Sequence, residues 1–412
     1  MSGLDIISIL IFLTALSSYI NYKYIKLPKS IGITSITLFL SFIVVLYNKM
    51  GFELDYGIFQ NIKFNETFLN GMLSFLLFAG SLHINIVELS RYKILIILLA
   101  TFSVFFSTIF IGFILYTVLQ ILCISLPFYY CFVFGALISP TDPIAVLGVL
   151  KIVKAPRSLE LKIAGEALFN DGTGIVLFFI FLGLSYGESV SFSFVSTIFY
   201  FIRQTIGGVF LGLFLGFISA KLLKNINDSD IAIIFTLGMV SSGYYLSHSI
   251  LEVSGPICMA VAGLVISNFI RNGYMTEETN IRLVSFWELL DEVLNSVLFV
   301  LIGLEFIEIQ FDFYVILIAI ITIIIVLFSR WFSLLIPILS ITQFKTINIS
   351  LLNVLTWGGL RGGISIALAL SIEGFYHNFL VAITYSVVIF SMLVQGFTVN
   401  YLIKDHMLKK KY

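Results

Sequence analysis

Residues 134–151 read FGALISPTDPIAVLGVLK, an apolar run interrupted at its middle by two prolines around a threonine and an aspartate. Pro140 and Pro143 each remove a backbone donor and clash with the preceding turn, so a helix here breaks at Thr141 and Asp142. What the break means depends on its surroundings. The 412-residue chain is 59% hydrophobic and only 11% charged, whereas soluble globular domains carry about 25% charged residues. Apolar runs of roughly 20 residues, long enough to cross a bilayer as helix, recur throughout. The fold class is therefore all-α: a polytopic membrane protein whose main partner is lipid. A formal net charge of zero offers no basic field to attract nucleic acid.

Apolar runs between polar breaks predict thirteen spans, at 4–20, 31–47, 67–86, 94–120, 128–150, 159–184, 197–223, 230–250, 255–271, 284–305, 313–338, 350–372 and 378–402. The interrupted run is the fifth. Lysine and arginine test the count, because cytoplasmic loops carry an excess of them. Nineteen of the 23 fall in one alternating set of loops, from Lys23, Lys26 and Lys29 to Lys404, Lys409, Lys410 and Lys411, with Lys154, Arg330 and Lys345 among them. The other set holds only Lys49 and Lys63, and Arg203 and Arg361 fall within spans. This predicts an inner (plasma) membrane protein with its N-terminus outside and its C-terminus cytoplasmic.

The opening MSGLDIISIL lacks the basic region of a cleavable signal peptide, so the first helix is expected to be retained. No hydrophilic stretch is long enough for a separate soluble domain, and no regulatory tail is expected after KDHMLKKKY. Cys123, Cys131 and Cys258 fit neither a metal pattern nor a disulfide framework, and read as small apolar core residues.

A second interruption lies in span twelve, NVLTWGGLRGGISIALAL (353–370), where Gly358, Gly359, Gly362 and Gly363 surround Arg361. Each glycine weakens a helix by roughly 0.8–1 kcal/mol against alanine. Broken backbone at membrane depth persists only when buried in protein or lining a watery cavity. Spans five and twelve are an odd number of spans apart, so a repeat with that shift is inverted in the membrane. Matching broken helices in two inverted halves point to a transporter's substrate site. The chain is thus expected to be one transmembrane domain over 1–412, with repeat one at about 4–184 and repeat two at about 230–402.

A charge at a helix centre costs about 2.5–3.5 kcal/mol on insertion scales, so such residues are functional by default. Asp142, Glu166, Asp171 and Arg361 form the central set. Three acids and one base leave two carboxylates without a fixed basic partner, each to hold a proton or a cation. An ionised carboxylate offers only oxygen acceptors, which suits a hard cation. Once protonated, it releases that cation. Coupled exchange follows by competition if the site faces each side of the membrane in turn.

Geometry divides the roles within GEALFNDGTGIVLF (165–178). At 100° per residue, Glu166 and Asn170 share a helix face, while Asp171 points about 140° away from Glu166. Asp171 is assigned to the ion site. Glu166 is expected to pair with Arg361, the alternative being a lipid-interface position close to Lys162. In FWELLDEVLNSVLFVLIGLEF, Glu288, Asp291, Glu292 and Asn295 line one face beside the inner end of span ten. They form either a cytoplasmic ion funnel or a structural network with Arg330 or Arg282. Glu305 is expected at the outer interface.

Four stretches, SPTDPIAV (139–146), GEALFNDGTGIVLF (165–178), FWELLDEVLNSVLFVLIG (286–303) and WGGLRGGISIALALS (357–371), together resemble NhaP-type sodium/proton antiporters, relatives of the animal sodium/hydrogen exchangers. The order and spacing match, and the resemblance covers essentially the whole chain. It implies thirteen helices in two inverted repeats, a homodimer, and a core bundle that moves against a dimerisation domain in elevator fashion. Asn170 and Asp171 match the family's Asn-Asp pair, with Asp171 the principal ion and proton carrier. Thr141 and Asp142 match the interrupted-helix pair near that site, where Asn170 is expected to brace Asp142. Glu166 and Arg361 match a structural ion pair. Asparagine at 170 resembles the electroneutral branch, which exchanges one cation, Na⁺ or Li⁺, for one proton. Many relatives have Ser where this chain has Ala167, and several have Glu where FAGSLH offers Ala79. Both differences remove possible oxygen ligands.

Other classes fit less well. An intramembrane aspartyl protease shows GxGD and YD motifs, whereas Asp142 and Asp171 sit in PTDP and FNDG. GLSYG (183–187) matches a nucleophile elbow but ends a membrane helix with no strand–turn–helix around it. His83, His248, His377 and His406 lack metal-ligand spacing. No enzyme activity and no cofactor are expected beyond the transported ions. A cation channel would use symmetric filter rings and needs no inverted broken pair. Potassium/proton exchange on the same fold stays open, because nothing in the sequence fixes the ion radius.

Overall fold

The computed structural model describes residues 3–50, 71–152, 155–185, 194–309, 312–341 and 349–409. Lys63, Lys154, Lys345, Lys410 and Lys411 of the charge pattern, residues 67–70 of the third expected span and the end of the GLSYG run lie outside them. The described residues hold helices and no strand. In chain order these are α1 (Gly3–Ile20), α2 (Lys29–Lys49), α3 (Leu73–Leu82), α4 (Ile86–Ser90) and α5 (Lys93–Ile121). Next come α6 (Phe128–Ile138), α7 (Ile144–Ile152), α8 (Arg157–Ser185), α9 (Phe194–Leu223) and α10 (Ser229–Ile250). The series ends with α11 (Gly255–Arg271), α12 (Glu277–Glu305), α13 (Phe313–Ile341), α14 (Ile349–Trp357), α15 (Gly363–Leu370) and α16 (His377–Asp405).

Seven of these helices are long and apolar enough to cross a membrane by length and composition. Most of each expected span falls on helix where it is described; the third ends in a turn at residues 83–85 before α4, and the fifth and twelfth split in their middles, into α6/α7 and α14/α15. Capping residues set several starts. Asp228 accepts from the N–H groups of Asp230 and Ile231 to open α10. Thr276 accepts from the Thr279 N–H, so α12 begins at Glu277, seven residues before the expected 284. Hydropathy cannot see those first two turns because they are polar. Arg330, counted from sequence as an inner-loop charge, instead lies within α13 and is 1% exposed.

Burial separates centre from rim. Within their apolar stretches, 67% of residues are buried in α8 but only 33% in α9, which makes α8 the axis of the site and α9 a peripheral helix. On its inner face α9 carries Gly208, Gly212 and Gly216, one per helical turn, against α11. A methyl group at Gly212 would stand 2.5 Å from the Cys258 carbonyl oxygen. The two backbones therefore pack in contact, as small-residue helix pairs do in membranes.

Candidate ion site at the crossed helix breaks

The two interruptions lie against each other and satisfy each other's backbone. The Asp142 N–H donates to the Leu360 carbonyl at 2.8 Å, joining the break after α6 to the break after α14. The Asp142 carboxylate accepts from the Ile144 N–H at 2.9 Å and so caps α7. The Arg361 guanidinium donates to the carbonyls of Ser139 and Pro140, the latter at 2.9 Å. A cation thus stands at the C-terminal end of α6, where helix carbonyls concentrate negative partial charge. The Arg361 N–H donates to Ser391 Oγ at 2.8 Å. Ser391 opens a π-helical turn, Ser391–Gln395, within α16. Gln395 Nε2 donates to the Trp357 carbonyl at 3.2 Å, so this one turn holds both ends of the second break.

Against this crossing α8 presents Glu166, Asn170 and Asp171. Asn170, fully buried, donates from Nδ2 to Thr141 Oγ1 at 2.8 Å. The expected brace from Asn170 to Asp142 is therefore made to the neighbouring threonine, because Asp142 is already engaged in capping α7. Asp171 is 8% exposed, and among the described residues no hydrogen bond or ion pair reaches its carboxylate. Asp142 lies close enough to interact with it electrostatically. Ala79 and Ala167 are both buried.

Glu166 departs from expectation. It pairs with Arg330 of α13, both side chains being at most 3% exposed, and not with Arg361. The physical reason is visible at Arg361, whose guanidinium is taken up by the Ser139 and Pro140 carbonyls: Pro143 has no N–H to return to the first, and the Ile144 N–H that would serve the second donates to Asp142. The sequence held a signal that counting Arg330 as a loop charge passed over: Arg330 falls within the expected span 313–338. Ser391 and Gln395 carried no such signal, since single polar residues in an apolar helix are common.

Glu288 and Glu292 are exposed on α12 and Asp291 is half-buried. Glu292 bonds Lys29 at 2.6 Å, and Asp291 accepts from Asn295 at 3.0 Å. Arg330 and Arg282, the alternative partners for this face, bond Glu166 and Glu278 instead. Glu305, half-buried, is the last residue of α12. Cys131 and Cys258 are buried free thiols, and Cys123 is exposed. Among the described residues no three His, Cys, Asp or Glu side chains gather as a metal centre would require.

Interrupted helices that cross around a carboxylate with no protein partner define a class, that of membrane transporters built on broken helices. The description "Sodium/hydrogen exchanger, transmembrane" belongs to the family model that matches residues 9–405, and the chain is a member of that family. It is 40% identical to the Na(+)/H(+) antiporter NhaP of Pseudomonas aeruginosa over 97% of this chain and 96% of that one. With the Na(+)/H(+) antiporter NhaH of Halobacillus dabanensis the identity is 31%, over 93% of each chain. The fold matches the solved structure of the sodium proton antiporter MjNhaP1 from Methanocaldococcus jannaschii with a TM-score of 0.76. That match covers 98% of this chain and 99% of the other at 20% identity.

Proposed function

We propose that this membrane protein exchanges a monovalent cation, Na⁺ or Li⁺, for H⁺ by competition at Asp171. The observation that carries the reading is the Asp171 carboxylate, buried at the crossing of two broken helices with no hydrogen-bond partner among the described residues. A carboxylate in that setting is stabilised by a bound cation or a bound proton. Asn170 and Thr141 hold the frame around it, and Asp142 adds a second carboxylate to the field. The names of the relatives, Na(+)/H(+) antiporters, agree with this chemistry.

The finer features follow the same reading. Thirteen crossings place the N-terminus outside and the C-terminus in the cytoplasm of the inner membrane, with repeats at about 4–184 and 230–402 in inverted orientation. The protein works as a homodimer, its core bundle alternating between the two sides. Glu288, Asp291 and Glu292 line a cytoplasmic ion funnel. Asparagine rather than a second aspartate at position 170 supports a stoichiometry of one cation per proton.

A pH-gradient dequenching assay on everted vesicles, with Na⁺, Li⁺ or K⁺ added in turn, tests the reading. The expected result is dequenching by Na⁺ or Li⁺ that Asp171→Asn abolishes for every cation. Exchange retained in that variant would sink the site assignment. A response to K⁺ alone would make the protein a K⁺/H⁺ exchanger.

A further inference from the structure

Arg330 has two guanidinium nitrogens that the Glu166 pair does not use. Its Nη2 is bonded to Glu166, whereas Nε and Nη1 are buried and find no acceptor among the described residues. Buried polar groups in folded proteins almost always have a partner, protein or ordered water. Arg330 lines a small cavity between α13, the second helix break and α16, whose polar wall is completed by Thr356, Gly359, Arg361 and Gln395. The space open to the centre of a water molecule there is about 10 Å³, roughly what one water requires.

Gln395 supplies the complementary group. It is 3% exposed, and its donation to the Trp357 carbonyl at 3.2 Å fixes which end of the carboxamide is nitrogen. Its oxygen accepts no hydrogen bond among the described residues. Residues with unused donors and an unused acceptor therefore line the same cavity, and this combination selects the ligand. A cation would meet the guanidinium groups of Arg330 and Arg361. An anion such as chloride would meet the carboxamide oxygen and needs more room than one water does. A water molecule accepts from one group and donates to the other.

We propose that one ordered water occupies this cavity, accepting from Arg330 and donating to Gln395. It completes a chain that runs from Glu166 through Arg330, the water and Gln395 to the Trp357 carbonyl. Gln395 is then a positioning residue that ties the second break to α8 and α13. The test is a structure of the full chain at a resolution that shows ordered water elsewhere in the protein, for the wild type and for Gln395→Met. The wild type is expected to show one solvent peak within hydrogen-bonding distance of both Arg330 and Gln395, and the variant to lack it. A dry wild-type cavity overturns the proposal, as does a peak that persists unchanged in Gln395→Met. An anomalous signal at the cavity in crystals exchanged into bromide also overturns it, in favour of an anion site. The wild-type measurements decide the matter even if the variant fails to fold.

Discussion

Glu166 and Arg330, 164 positions apart in the chain, form a salt bridge sealed between α8 and α13. Removing one partner of a buried pair leaves an uncompensated charge, at a cost of about 3–5 kcal/mol. Glu166→Gln is therefore expected to lower the melting temperature of the purified protein sharply, and Glu166→Gln with Arg330→Met to recover much of the loss. A double-mutant cycle with Arg361→Met should show weaker coupling to Glu166 than the cycle with Arg330. Equal coupling would restore the pairing expected from sequence.

Asn170 and Thr141 make one hydrogen bond that spans α8 and the first break. Asn170→Ala and Thr141→Val each remove it, at about 1 kcal/mol, or roughly a fivefold rise in the cation concentration for half-maximal exchange. Because both delete the same bond, the double variant should lose little more than either single one. Additive losses in the dequenching assay would mean that the two side chains act separately.

Competition at a single carboxylate has a definite sign with pH. As pH falls, protons occupy Asp171, so the half-maximal cation concentration rises while the maximal rate at saturating cation holds. In the range where the proton form predominates, the rise approaches roughly tenfold per pH unit. Initial rates against Na⁺ concentration at three pH values check this. A maximal rate that falls at constant half-maximal concentration would point to protonation elsewhere.

Electroneutral exchange moves no net charge, so collapsing the membrane potential should leave the initial rate unchanged. Net movement of one charge would make the rate follow the potential, at about 2.3 kcal/mol per 100 mV. Parallel assays with and without a potassium-ionophore clamp distinguish the two.

Gly212 has no room for a side chain, since a methyl group there would press on the Cys258 carbonyl. Gly212→Val is expected to destabilise the α9–α11 pair by about 1–3 kcal/mol through overpacking, read as a lower melting temperature in detergent. Gly238, where an added methyl meets nothing within 4 Å, serves as the control with Gly238→Ala.

Much of this architecture was legible because lipid leaves few alternatives. Broken backbone must be buried, so Pro140, Pro143 and the four glycines around Arg361 mark both interruptions in the sequence alone. Asp171 stood out because intramembrane acids are expensive. What sequence could not supply was the choice among partners. Arg361 and Arg330 are both intramembrane arginines, and only the unpaired carbonyls of Ser139 and Pro140, left by the break between α6 and α7, draw Arg361 away from Glu166. Asn170 likewise reaches Thr141 because Asp142 is already capping α7. These outcomes depend on which groups a fold leaves unsatisfied, a property of the packed chain and not of its local pattern.

The bond from Arg361 to the Pro140 carbonyl joins residues 221 positions apart. At translation rates of about 5–20 residues per second, roughly ten to forty-five seconds separate the synthesis of its two ends. Throughout that interval the nascent first half holds a helix end in the bilayer without its native donor. Membrane insertion of this protein therefore passes through a long-lived stage in which water, lipid headgroups or the insertion machinery must stand in for an arginine not yet made.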